Sequence, residues 1–493
     1  MKRRPPPVSL VHRACAALTP DLGAWHRRRS VLAASLLACA GLALSALPAL
    51  AQPGWNTRQW VGTWGIAPAG PPLSTQVMTF NDQTMRLIVH TSIGGHQVRI
   101  RLSNTFGAAP LRIGEAHIAL RQRGAAIVAG SDRVLTFSGE RSITIPPGAP
   151  VLSDPVELDV PALSDLAISL HLPGSVQATT IHGAAFQTNY LSLPGNFTSA
   201  QTFPTDRTIT FWPFLTEVDV NAPGGAAIVA LGDSITDGSN TKVDADHRWP
   251  DLLALRLQTT REPLTVVQSA KQPGKQPGQQ PPKVADKQAP GLIAWSARLG
   301  IVNRGIAGNR LLRDPGEQPL FGRAALERFD RDVLATAGVR HLVVLIGIND
   351  IGHPGTGTIP LPEEPTSDEL IAGYRQLIAR AHEKGIAIYG ATLTPFEGTI
   401  FPGYYTPAKE QLRQAVNHWI RSSEEFDGVI DFDRAVRDPA RPSRVLPAYD
   451  SGDHLHPNDL GMQALANAIP LQLFRGPGGT ADASGTAARA GKH

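Results

Sequence analysis

Four short groups of residues carry side chains suited to acyl transfer. Gly232-Asp233-Ser234 follows the apolar run Ala226-Ala227-Ile228-Val229-Ala230-Leu231. A serine hydroxyl is a weak nucleophile until a base takes its proton. Asp453-His454-Leu455-His456-Pro457 offers that base, because an imidazole titrates near neutrality. A carboxylate on its second nitrogen fixes the tautomer and stabilises the imidazolium. An Asp three residues before a His, on a turn leading into a helix, can place both side chains on one side. That spacing selects Asp453 with His456, and leaves His454 with Asp450 as the rival pair. The reaction also needs donors aimed at a developing oxyanion. The side-chain amide of Asn349, in Gly347-Ile348-Asn349-Asp350, and backbone N–H groups near Gly308, in Asn303-Arg304-Gly305-Ile306-Ala307-Gly308-Asn309, are candidates. Taken singly, Gly308 reads first as a turn glycine and Asn349 as a cap or turn residue.

These groups need a scaffold that gathers them. The run Ala226–Leu231 has the continuous apolarity of a parallel strand covered on both faces. Similar runs stand at Leu342–Ile346, Ile386–Tyr389 and Val429–Phe432. Between them lie helical stripes. Leu370, Ile371, Tyr374, Leu377, Ile378 and Ala381 form one, with a capping box at Thr366 and Glu369 and Gly385 beyond its end. Leu412, Ala415, Val416, Trp419 and Ile420 form another, with Pro407 in its first turn. Alternating strand and helix predicts a three-layer α/β domain over 222–474 with a flavodoxin-like parallel sheet. Ser234 then lies at the carboxyl end of a strand, where open parallel sheets bind ligands.

Residues 55–220 read differently. Val98, Ile100 and Leu102 alternate with Gln97, Arg99 and Arg101, and Leu166, Ile168, Leu170 and Leu172 repeat the period. That is the pattern of strands with one buried and one solvated face. Gly94-Gly95 suggests a hairpin between Leu87–Val89 and the strand at Val98. An antiparallel, jelly-roll-like β-sandwich is expected, with Trp55, Trp60, Trp64 and Trp212 in its core or stacking on sugar. Residues 268–290, with Lys271-Gln272-Pro273-Gly274 repeated at Lys275–Gly278, read as a disordered insertion. A Gly/Ala/Thr-rich tail follows over 475–493.

The order of the four groups resembles the SGNH or GDSL hydrolase superfamily. The match covers about 225 residues of the chain. The resemblance implies Ser234 as nucleophile, His456 as base and Asp453 as its orienter. It further implies an oxyanion hole from the Ser234 and Gly308 N–H groups and the Asn349 side chain, with no metal and no cofactor. Trp60-Val61-Gly62-Thr63-Trp64 and Val98-Arg99-Ile100-Arg101-Leu102-Ser103-Asn104 extend the likeness to two-domain bacterial GDSL esterases, some linked to xylan deacetylation, that place a β-sandwich before the hydrolase. The insertion departs from that pattern.

The compartment follows from the first 51 residues. Arg27-Arg28-Arg29, an apolar run from Val31 to Leu50, and Ala49-Leu50-Ala51 have the order of a signal peptide cleaved after Ala51. Export by the general secretory or the twin-arginine route is open; a retained membrane anchor is the competing reading. Cys15 and Cys39 are the only cysteines of the 493 residues, so the expected mature chain has neither disulfide nor thiol chemistry. The formal charge of +4 rests on the leader. Without the leader's seven basic residues and one acid, Asp21, the balance becomes −2, which gives no support to nucleic-acid binding. The expectation is a secreted or periplasmic esterase for acetyl or other short-chain esters, with an acetylated polysaccharide as a candidate substrate. The alternatives are a lipase or lysophospholipase, and a non-catalytic carbohydrate-binding envelope protein.

Overall fold

The strands expected from the apolar runs assemble into one parallel sheet behind two antiparallel ones. The computed structural model describes residues 59–475 except 71, 74, 76, 261–297, 315, 317 and 358. The leader, the insertion 268–290 and the tail from 476 lie outside the described residues. The antiparallel part contains β1 (Trp60–Gly65), β2 (Thr79–His90), β3 (Gly95–Ser103), β4 (Glu115–Arg123), β5 (Val156–Val160), β6 (Asp165–Gln177), β7 (Asn189–Pro194), β8 (Thr205–Ile209) and β9 (Leu215–Asn221). One sheet has the order β1-β9-β3-β5, the other β8-β7-β2-β6-β4, with shorter strands at the margins. Their inner faces share one core, in which Val98, Ile100 and Leu102 meet Leu87, Leu166 and Ile168.

Two expectations fail here. Gly94-Gly95 is not a hairpin, since β2 and β3 belong to different sheets. The two glycines carry the chain across, past backbone that leaves no room for a side chain. A Cβ on Gly94 would lie 2.3 Å from the Val160 carbonyl oxygen, and one on Gly95 2.7 Å from that of Asn221. Nor is the polar face of β3 solvated. Arg99 and Arg101 are half-buried, and Arg101 donates to the Ala335 carbonyl of the following domain at 2.9 Å. Of the tryptophans, Trp64 and Trp212 are core residues in edge contact at 5.1 Å. Trp60 lies beneath the Arg99 guanidinium, and Trp55 lies outside the described residues.

The second part holds β10 (Ala226–Gly232), β11 (Leu299–Gly305), β12 (Val339–Leu345), β13 (Ala387–Ala391) and β14 (Gly428–Ile430). They form a parallel sheet in the order β11-β10-β12-β13-β14. The helices are α1 (Ser234–Asp237), α2 (Trp249–Thr259), α3 (Ala325–Phe329), α4 (Ile348–Gly352), α5 (Ser367–Glu383), α6 (Pro407–Ser422), α7 (Phe432–Val436) and α8 (Asp459–Ala468). The α5 capping box and the left-handed Gly385 are as the sequence predicts. Phe432 is the exception: Asp431 caps α7 through the Arg434 N–H, so the apolar run ends in a helix and not in strand. Among the described residues no helix is long and apolar enough to cross a membrane.

Edge strand β11 is where the two parts meet. Gly62 and Gly65 of β1 approach Val302 so closely that a Cβ at either would lie within 2.8 Å of it. The Ser92 hydroxyl receives the Ile301 N–H at 2.8 Å. Arg304 of β11 pairs with Glu217 of β9, both buried. Burial alone would raise the Glu217 carboxyl, but Arg304 and Arg101 outweigh it and hold it below its ordinary value. Asp219, two residues on, is pushed up to about 8 by burial and by the Glu217 charge, against the pull of Arg99. The folded state therefore holds a proton that the unfolded chain loses near pH 4. Stability is expected to fall as pH rises from about 4 to about 8. Asp219→Asn removes this dependence, so its melting temperature should gain on that of the unmodified protein as pH rises; parallel curves from pH 5 to 9 would contradict the assignment.

Candidate active site

Ser234 is presented by a tight strand-to-helix transition. β10 ends at Gly232, Asp233 caps α1 by accepting the Ile235 N–H at 3.0 Å, and Ser234 is the first helical residue. Its own N–H has no partner within the helix, as for every first-turn donor. Gly232 is needed for the turn, because a Cβ there would lie 2.1 Å from Thr236 Oγ1. The same turn leaves Asp233 fully buried, and burial pushes its carboxyl up to about 7.

The structure brings Ser234, His456 and Asp453 together. Ser234 Oγ lies 2.8 Å from His456 Nε2, and His456 Nδ1 lies 2.6 Å from Asp453 Oδ2. All three residues are buried, each under a tenth exposed. Asp453 does more than face the imidazole. Its Oδ1 accepts the Leu455 and His456 N–H groups at 3.0 and 2.8 Å, and its Oδ2 accepts Asn240 Nδ2 at 2.9 Å. Burial would raise this carboxyl; the His456 hydrogen bond and charge and the two backbone donors outweigh it and hold it well below the usual carboxylate range. The rival histidine stands apart. His454 takes a left-handed turn (φ 59°), is half-exposed, and donates from Nδ1 to Asp450.

Gly308 and Asn349 border the same cavity as Ser234 and His456. Gly308 has φ +76°, and a Cβ there would lie 2.4 Å from the Phe321 ring, so the position requires glycine on two counts. Asn349 is the second residue of α4, which follows β12. Its Oδ1 accepts the Tyr404 hydroxyl at 2.7 Å and its Nδ2 gives one hydrogen to the Asn309 carbonyl at 2.9 Å. These two bonds set the amide orientation and leave the second Nδ2 hydrogen available. Asp350, its neighbour, accepts the Leu311 and Leu312 N–H groups and so anchors the loop that continues from Gly308.

The cavity of about 620 Å³ is walled by Phe321, Ile359, Phe401, Pro402 and Leu455 as well as by His353 and Tyr404. The His353 ring stacks on Phe321 at 5.4 Å. Burial, aided by Arg310, pushes it down to about 4, so it is neutral. Sequence reasoning missed Tyr404, Asn240 and the device that holds the wall. α6 buries Lys409, Arg413 and Asn417, while Ala415, expected in its apolar stripe, is exposed. Lys409 Nζ donates to the carbonyls of Gly352, Pro354 and Gly403 at 2.7–2.8 Å, tying the loop after α4 to the loop before Tyr404. A lysine inside an amphipathic pattern was the available signal.

Among the described residues one group could offer three ligand atoms to a cation, His90, Asp165 and Asp246. Asp165 already accepts Arg121 at 2.9 Å, and none of the three borders the Ser234 cavity.

Residues 278–464 match the model of the GDSL-like lipase/acylhydrolase family. The matched segment begins beyond Ser234, but β10 pairs in register with β11 and β12, both inside it. No curated protein matches the sequence. Solved structures similar to the chain include a GDSL-like lipase from Bacteroides thetaiotaomicron (16% identity over 50% of this chain and 87% of that one, TM-score 0.31). An α/β-hydrolase from the metagenome of Lake Arreo is 18% identical over 50% and 94%, TM-score 0.32. A family two carbohydrate esterase from Cellvibrio japonicus is 12% identical over 84% and 94%, TM-score 0.32. The α/β domain is a GDSL-type acylhydrolase domain, and the protein is a carboxylic ester hydrolase.

The two histidines are separable by experiment. His456→Ala should abolish ester turnover and His454→Ala should retain most of it. Asp453→Asn should cost up to about 10⁴-fold in kcat, the loss such a change causes in other serine triads. A dead His454→Ala beside an active His456→Ala would transfer the role of base to the Asp450 pair.

Proposed function

We propose that this GDSL-type hydrolase is an exported serine esterase that removes acetyl or other short acyl groups through an acyl-enzyme on Ser234, with acetylated polysaccharide as the natural acyl carrier. The observation that carries the reading is the continuous hydrogen-bonded line from Ser234 Oγ through His456 to Asp453. His456 Nε2 takes the Ser234 proton as Oγ attacks the ester carbonyl. Negative charge develops on the carbonyl oxygen and is received, in this reading, by the Ser234 and Gly308 N–H groups and Asn349 Nδ2, which line the same cavity. His456 then gives its proton to the departing alcohol. In the second half, water loses a proton to the same nitrogen as it attacks the acyl carbon, and His456 returns that proton to Ser234 Oγ as the acid leaves. Asp453 remains ionised throughout, held by its three N–H donors and the imidazole. Export rests on the leader, and the polysaccharide on the β-sandwich that precedes the hydrolase domain.

One observation favours a second reading. The cavity is far larger than an acetyl group and its wall is mainly apolar, which suits a longer acyl chain or an apolar alcohol. Rates on acetylxylan and on p-nitrophenyl esters from acetate to octanoate separate the two. The short-acyl reading requires kcat/KM to peak at two to four carbons; a peak at octanoate, with no acetate released from acetylxylan, would replace it by the lipase-type activity. Ser234→Ala should abolish turnover of every ester and leave the melting temperature within a few degrees. Turnover near the original rate in that variant would remove Ser234 from the mechanism.

A further inference from the structure

We propose that His182, a residue of the β-sandwich, is a positioning residue for the oxyanion donors, acting through Asp237; the inference rests on the esterase reading above. His182 ends the short strand Ile181–His182, which pairs with Trp212–Pro213. Its Nε2 lies 2.9 Å from Asp237 Oδ1, and its Nδ1 lies 3.0 Å from the Ala67 carbonyl. Both ring nitrogens thus face acceptor oxygens, one on a backbone carbonyl and one on a carboxylate. Trp212 packs beside it at 5.8 Å. The His182 and Asp237 side chains are only 3% and 4% exposed.

Asp237 uses its other oxygen differently. Oδ2 accepts the Ala307 N–H at 3.0 Å. Ala307 immediately precedes Gly308 and borders the cavity with it. Asp237 is also the last residue of α1, the one-turn helix that begins at Ser234. A single carboxylate therefore ties the helix that would supply one of the three oxyanion donors, Ser234 N–H, to the loop that would supply a second, Gly308 N–H. Asn303 adds a second tie, donating to the Thr236 carbonyl at 2.8 Å and accepting the Gly305 N–H at 2.9 Å. What Asn303 does not fix is the carboxylate itself. Its remaining lone pairs are directed by His182, and His182 in turn by Ala67, so the aim of Asp237 at Ala307 is set from the sandwich. An oxyanion hole tolerates little displacement, because its donors must meet the position the carbonyl oxygen takes as its charge develops in the transition state.

The contact predicts a loss in kcat rather than in binding. His182→Phe keeps an aromatic ring but cannot donate to Asp237. On p-nitrophenyl acetate, with active sites counted by stoichiometric labelling with a fluorophosphonate, its kcat per labelled site should fall about 10- to 100-fold, the scale expected for a displaced transition-state donor. KM should change less than threefold, and His182→Gln, which retains a donor, should recover most of the loss. Should His182→Phe fail to fold around a lone buried carboxylate, His182→Phe with Asp237→Asn removes that charge and should show the same fall in kcat. Ser92→Ala, which weakens the contact with β11 elsewhere, should lower the melting temperature without moving kcat. Unchanged kcat per site in His182→Phe or in the double variant would reduce the contact to a structural one and overturn the proposal. Failure of the esterase reading gives a different pattern, in which Ser234→Ala still turns over ester and the fluorophosphonate labels no serine at 234.

Discussion

The hydrogen bond from Ser234 Oγ to His456 Nε2 spans 222 residues of sequence, and most of the α/β domain can be understood as what holds its two ends at 2.8 Å. One end is fixed by the glycine turn at the end of β10. The other is fixed by Asp453, whose four hydrogen bonds build the loop as well as orient the imidazole. Such a carboxylate has to stay ionised in a place where burial opposes charge. Donors on both oxygens meet that demand. Asp350 also folds a loop around its two oxygens, beside Asn349, but there burial outweighs the Leu311 and Leu312 donors and pushes the carboxyl up to about 6.

What the sequence revealed and what it hid divide along the range of the interactions. The spacing of Asp453 and His456, the cap of α5 and the glycine turn before Ser234 are local, and local chemistry is legible in a linear pattern. The apolar runs disclosed a parallel sheet because burial on both faces leaves no polar alternation. The Gly94-Gly95 step misled because a hairpin and a crossover between sheets use the same residues; only the partner strand differs. Tyr404 and Asn240 were invisible for the same reason, since their partners Asn349 and Asp453 lie 55 and 213 positions away. The polar face of β3 looked like a solvated surface. It meets instead a second polar surface, and complementary burial of that kind leaves no mark on period-2 alternation.

The charges at that meeting make it unlike a hydrophobic domain contact. The charged Glu217, Arg99, Arg101 and Arg304 gather with the proton-holding Asp219 where β3 and β9 approach β11. Desolvating charged groups is costly unless each finds its partner, so such a surface tolerates only one arrangement of the two parts. Apolar surfaces of equal area would slide more freely. The arrangement suits a site whose cavity wall and donors come from several loops, each needing a fixed reference.

The Ser92 hydroxyl illustrates what that attachment means for modularity. It occupies the polar backbone of Ile301 in β11, which among the described residues has β10 as its one strand neighbour in the parallel sheet. A hydrolase severed near residue 222 would present β11 as a bare edge, with Val302 and Arg304 stripped of their covers. Unpaired edges recruit strands from other molecules, so the severed piece would be prone to self-association. The sequence boundary between the two parts is therefore not a place where evolution or an engineer can exchange one front domain for another by simple fusion. Any replacement would have to bring its own cap for that strand.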